Sequence, residues 1–96
     1  MRPSIVLNSH RQAIKLIVEQ NHACNARVFG SVLHGDDTDN SDLDLLVDPT
    51  LETTLMDIAK IQNRLQVLLG VPVDVLTPRA LPERFRSQIL KEARPI

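Results

Sequence analysis

The sequence predicts a small α/β domain, a mixed sheet of about three short strands flanked by helices. Three observations carry that expectation. Apolar residues recur at helical spacing in three segments and as compact, branched runs in three others, in the order helix, strand, strand, helix, strand, helix. Gly and Pro punctuate the junctions between them. Ninety-six residues, 43% of them hydrophobic, suit one modest core, so a single domain spanning 1–96 is expected, without repeats or a linker.

Ser9-His10-Arg11-Gln12 reads as a capping box, and Ala13, Ile14, Ile17 and Val18 follow at helical spacing, which predicts a helix near residues 9–21. Asn21, His22, Cys24 and Asn25 form a polar break. Arg27-Val28-Phe29 reads as a short strand ending in a turn at Gly30-Ser31. An acidic, turn-rich loop runs from Gly35 to Ser41, and a second strand from Asp42 to Val47 stops at Pro49. Leu55, Ile58, Leu65, Leu68 and Leu69 predict one face of a helix within 51–69, and Gly70 stands at its C-cap position. Val71 to Leu76 is the third strand. Pro78 and Pro82 frame a turn before a last amphipathic helix, Glu83 to Ala93, carrying Phe85, Ile89 and Leu90.

Composition excludes several classes. Two Phe, no Tyr and no Trp leave the core to Leu, Ile and Val, and offer few rings for stacking single-stranded nucleic acid. Eleven basic against twelve acidic residues give a net charge of −1, so direct nucleic-acid binding through a polybasic surface is not expected. The lone Cys24 cannot close an internal disulfide and reads as a reduced small hydrophobe. With no apolar run near the roughly 20 residues that span a bilayer and no signal-peptide pattern, no membrane partner is expected and the protein is placed in the cytoplasm.

The carboxylates carry the chemistry. Residues two apart on a strand share a face, so Asp42 and Asp44 project together, roughly 6.6 Å apart at Cα, while Leu43, Leu45 and Val47 point into the core. Two such carboxylates repel unless protonated or bridged by a cation. Hard oxygen donors of this kind suit Mg²⁺ or Mn²⁺, and paired ions about 3.5–4 Å apart serve phosphoryl transfer. Asp48 lies too far along the strand to share a metal and reads as a strand-end turn residue. Asp74 is the one polar residue of an otherwise apolar strand, expected either at a solvent-facing edge or as a third acidic member of the site. Gly30-Ser31, eleven residues upstream of the Asp pair, can let phosphate oxygens approach the backbone. An EF-hand spacing from Asp37 to Asp48 fails, because Asp42 stands where the sharp turn requires Gly and the downstream flank is a strand. His34 is either a phosphate contact or solvated; His10 and His22 have no partner in the sequence that suggests a metal or catalytic role.

Gly30-Ser31-x-x-x-Gly35, then Ser41-Asp42-x-Asp44-Leu45-x-Val47, then Val73-Asp74-Val75, resembles the nucleotidyltransferase fold of the DNA polymerase β superfamily. The small size and the tail from Leu81 to Pro95 resemble the minimal nucleotidyltransferases encoded beside HEPN-domain proteins, and the similarity runs from about Val28 to Ala93. The resemblance implies that Asp42 and Asp44 bind two Mg²⁺ ions (Mn²⁺ being the alternative) and that Asp74 completes the triad beside the attacking hydroxyl. It implies that Gly30 and Ser31, with Ser41, hold the phosphates of an incoming ATP. In-line attack on the α-phosphorus would then release pyrophosphate. Paired members act as antitoxins, placing AMP on a tyrosine of a HEPN ribonuclease toxin.

One departure stands out. Relatives often carry Arg within the three residues after the Gly-Ser pair, where this chain has Val32, Leu33 and His34. Its absence motivates a second reading, an antitoxin that neutralises its partner by complex formation without catalysis. No room is left for a second substrate domain, which disfavours a small-molecule acceptor and predicts a separate macromolecule, or a second subunit in a homo- or hetero-oligomer, to complete the site.

Overall fold

The computed structural model describes all 96 residues. Helix α1 spans Pro3–Ser9 and α2 spans Arg11–Gln20; β1 is Ala23–Phe29, α3 Gly30–His34, β2 Leu43–Pro49, α4 Leu55–Leu69, β3 Val73–Leu76, α5 Glu83–Glu92 and β4 Arg94–Pro95, with a 3₁₀ turn at Pro78–Ala80. The sheet has four strands in the order β3-β2-β1-β4. Strand β1 is antiparallel to β2 and β4, whereas β2 and β3, joined through α4, are parallel. The α/β class and the mixed sheet are as expected; β4 is an addition, since a two-residue strand has no periodicity to detect.

The N-terminal helix differs from expectation. Two helices meet at His10, whose φ of −131° breaks the helical path. Ser9 does not cap α2; its hydroxyl donates to the Ile5 carbonyl one turn back, 3.1 Å away. Pro3, with φ preset for a first helical position, starts α1, and Val6 and Leu7 bury against the core. The polar break is also shorter than expected, because Cys24 and Asn25 already belong to β1, around a bulge between Cys24 and Arg27. Cys24 is exposed, not a buried hydrophobe.

Strand β2 is the centre of the molecule, with Leu43, Leu45, Leu46 and Val47 wholly buried. Leu43, Leu45 and Val47 pack with Ile14, Val18, Ile61 and Leu65 under α2 and α4, in a core of 18 buried residues. On the opposite face Leu46 joins Phe29 and Leu81, with Leu33, Leu76 and Ile89 packed around them beneath α5. That second layer is thin, and α5 buries none of its residues completely. Asp48 also lies within β2, not in a turn: it pairs with Arg27 and accepts from Asn25 Nδ2 at 2.8 Å.

Helix α4 starts at Leu55 behind a capping box in which Thr54 and Asp57 exchange hydrogen bonds, and it ends at Gly70 in the left-handed conformation (φ +69°). Its buried stripe is Ile61, Leu65 and Leu69, with Ile58 partly buried beside them; Leu55, on the expected face, is 90% exposed, and Leu68 is also exposed. Two glutamines of α4 reach the edge strand, where Gln66 Oε1 accepts from the Val73 amide at 3.1 Å and Gln62 Oε1 from the Val75 amide at 3.0 Å.

Candidate active site

Three chain segments converge where β1 ends. Phe29, the last residue of β1, pairs with Asp44 of β2, and Asp44 pairs in parallel register with Asp74 of β3. Register partners share a face, so Asp44 and Asp74 stand side by side on the thinly covered face of the sheet. Asp42 precedes β2 in the loop and is exposed, as is Asp74, on the edge strand; Asp44 is half-buried between them.

Gly30 joins this group for a reason the sequence did not disclose. Its φ of +75° is left-handed, and a Cβ there would collide with Asp44 Oδ2 and lie 3.2 Å from Asp44 Cγ. The close approach anticipated for a phosphate is thus taken first by the Asp44 side chain, and Gly30 fixes where that carboxylate sits. The Gly-Ser pair opens the short helix α3, which Gly35 ends in the left-handed conformation. Ser31, half-buried, follows Gly30, and its carbonyl accepts from the Asp36 amide at 2.9 Å.

The electrostatics focus on Asp44. Burial, followed by the negative charges of Asp74 and Asp42, pushes its pKa up to about 6. No three acidic, histidine or cysteine side chains are grouped closely enough to hold a metal ion among them. Asp44 and Asp74 share a face of the sheet, and Asp42 acts on Asp44 through its charge. The donor chemistry fits a hard divalent cation, because only oxygen is offered and a cation would relieve the repulsion that perturbs Asp44.

The loop leading to Asp42 is held by contacts that sequence reasoning missed. Asp37 is buried; its carboxylate accepts from the Ser4 amide at 2.9 Å and pairs with Arg2 at 3.0 Å. Burial opposes ionisation, yet the Ser4 hydrogen bonds and Arg2 together hold its pKa below the usual carboxylate value. Ser41 Oγ accepts from the Thr38 amide at 2.8 Å, so this hydroxyl shapes the loop that delivers Asp42. His34, at the far end of α3 from Gly30, lies 3.3 Å from Glu92 of α5.

Comparison with known proteins gives a consistent picture. Residues 12–96 match the family described as polymerase beta, nucleotidyltransferase. A Methanocaldococcus jannaschii protein, provisionally named a protein adenylyltransferase, is 30% identical over 91% of this chain and 94% of its own length. A solved structure of a provisionally assigned minimal nucleotidyltransferase superposes with a TM-score of 0.86 at 41% identity, covering 97% of this chain and 95% of the other. The structure of a toxin–antitoxin with AMP-PNP shares the fold at a TM-score of 0.70 and 17% identity, over 97% of this chain and 71% of the other.

Proposed function

This chain belongs to the polymerase β nucleotidyltransferase family, and from that premise we propose that it is a cytoplasmic, single-domain protein adenylyltransferase acting as an antitoxin. The substrate is ATP, and the acceptor is a hydroxyl, in our reading a tyrosine, of a HEPN ribonuclease toxin. The acceptor oxygen attacks the α-phosphorus, the bond to the bridging oxygen of the β-phosphate breaks, and pyrophosphate leaves. Mg²⁺ held by Asp42, Asp44 and Asp74 would neutralise charge on the triphosphate and on the departing pyrophosphate. Gly30 positions Asp44, Ser31 offers its hydroxyl and amide to the β- and γ-phosphates, and the Ser41 loop presents Asp42. Asp74 is in our reading the group that takes the acceptor's proton, supported by its exposure beside Asp44 on the edge strand.

The observation that carries the proposal is the contiguity of Gly30, Asp44 and Asp74, with Asp44 perturbed by burial and then by its acidic neighbours. The name of the M. jannaschii relative and the AMP-PNP held by the toxin–antitoxin neighbour support the choice of adenylyl transfer. A second reading, neutralisation by complex formation alone, is favoured by the missing cation after Ser31, since His34 faces Glu92 instead. The deciding experiment incubates the chain with ATP, Mg²⁺ and the protein encoded beside it, followed by mass spectrometry. Adenylyl transfer predicts an AMP increment on the partner that disappears with Asp42→Asn plus Asp44→Asn. Neutralisation that survives the double variant, without any increment, selects the second reading.

A further inference from the structure

A groove of about 240 Å³ lies between α1, the start of α2, α3 and β4. Its walls carry Arg11 and Arg94, with Ser4 and Asn8 beside them, and no acidic residue lines it. The floor is apolar, formed by the buried Leu7, Val28 and Val32. Neither arginine belongs to an ion pair, whereas Arg2 pairs with Asp37 and Arg27 with Asp48. The Arg11 guanidinium donates to Asn8 Oδ1 at 2.8 Å from Nη2 and 3.2 Å from Nε, so a neutral group orients it and its charge stays uncompensated. Arg94 is exposed and also borders the adjoining groove, where Lys91 adds a cation and the one acid, Glu92, lies 3.3 Å from His34.

We propose that this groove binds a small organic oxyanion, its phosphate or carboxylate between Arg11 and Arg94 and its apolar body on Val28 and Val32. Two guanidinium groups lining one space repel, and an anion between them removes that cost. Their planar donors match the paired oxygens of phosphate and carboxylate, and such charge-assisted hydrogen bonds are the stronger kind. A lining without acids is notable in a chain whose acidic residues outnumber its basic ones, twelve to eleven. The volume lies just below the range of drug-sized sites, which limits the ligand to one anionic group on a short body. The groove is also separate from the acidic site. Val28 and Val32 belong to the core under α2 and α4, whereas Asp44 and Asp74 stand on the opposite face of the sheet. A ligand here leaves Asp42, Asp44 and Asp74 free.

The test follows backbone amide shifts of the full chain by heteronuclear NMR, without nucleotide or divalent cation, during titration with butyl phosphate, butyrate and butanol. We expect the anions to give saturable shifts centred on Leu7, Val28, Val32 and Arg94, and butanol to leave these amides in place. The tighter of the two anions identifies the headgroup. Arg94→Gln, a change at an exposed position, weakens anion binding about tenfold, and Arg11→Gln does the same. Circular dichroism and melting establish that both variants keep the fold, and the comparison of anion with butanol needs no variant. Shifts that never saturate, that butanol reproduces, or that keep the parent affinity in both variants overturn the site. So do shifts confined to Gly30, Ser31 and Asp44, which put the anion beside the carboxylates and leave the nucleotidyltransferase reading standing.

Discussion

Replacing Asp44 with Asn should stabilise the free protein at neutral pH while removing its activity. The Asp44 pKa is raised from 3.8 to about 6 by burial and by the charges of Asp74 and Asp42. The folded state therefore binds this proton more tightly than the unfolded chain does. Stability falls as pH rises from the unfolded pKa through the folded one, and the full penalty is present above pH 6. About two pKa units correspond to about 3 kcal/mol as an upper bound. Asp44 remains partly solvated, so we expect about 1–2 kcal/mol from Asp44→Asn at pH 7.5, or roughly 5–10 °C in melting temperature for a domain this size. The assay is thermal or urea unfolding of both proteins, without divalent cations, from pH 4 to 8. The difference should shrink as pH falls from 6 towards 4, because the folded-state carboxyl is then protonated while the unfolded one, with pKa 3.8, has only begun to be. A variant no more stable at pH 7.5, or equally stabilised at every pH, would refute the view that burial and the neighbouring charges perturb this carboxylate.

Gly30→Ala should cost about 1–3 kcal/mol for the left-handed backbone alone, and it should abolish transfer by displacing the Asp44 carboxylate, read from unfolding curves and a pyrophosphate-release assay. Asp37→Ala should cost about 2–3 kcal/mol by leaving Arg2 and the Ser4 amide without their acceptor. The pKa values of Asp37 and Asp57 are both lowered, so their stabilisation is complete above the unfolded carboxylate pKa and is lost as pH falls through the lower folded values. Acid titration monitored by circular dichroism should show Asp37→Ala unfolding with a shallower pH dependence below about pH 4. Ile61→Ala should cost about 2–5 kcal/mol, whereas Leu55→Ala should stay within about 0.5 kcal/mol. Equal losses from those two variants would contradict the observed orientation of α4.

Where the sequence was legible, a local pattern coincided with tertiary burial. The alternation of Leu43, Leu45 and Val47 with Asp44 and Asp48 marks a strand with one apolar face, and Gly70 marks the end of α4 because only a left-handed residue fits there. Asp42, Asp44 and Asp74 stand out in the sequence because carboxylates are out of place beside such runs, and strand pairing sets Asp44 beside Asp74. Legibility failed where distant contacts decide. Leu55 and Leu68 fit the helical stripe as well as Ile61 does, and only the seating of α4 against β3 chooses among them. The Ser9–Gln12 box lost to a helix break at His10. Asp37 looked like one acidic loop residue among several, and its burial depends on Arg2, 35 positions earlier. The fit of Gly30 against Asp44 likewise arises only when β1 and β2 pair.

The two glutamines of α4 have a consequence for how this protein meets others. Strand β3 forms an edge of the sheet, and an edge strand normally offers free amides to any extended chain that comes alongside. Here Gln62 and Gln66 already occupy the amides of Val75 and Val73. An extended segment of another protein cannot add its strand at β3 without evicting them, and neither can a second copy in a growing fibre. Recognition on this flank must therefore run through side chains, among them the exposed Asp74.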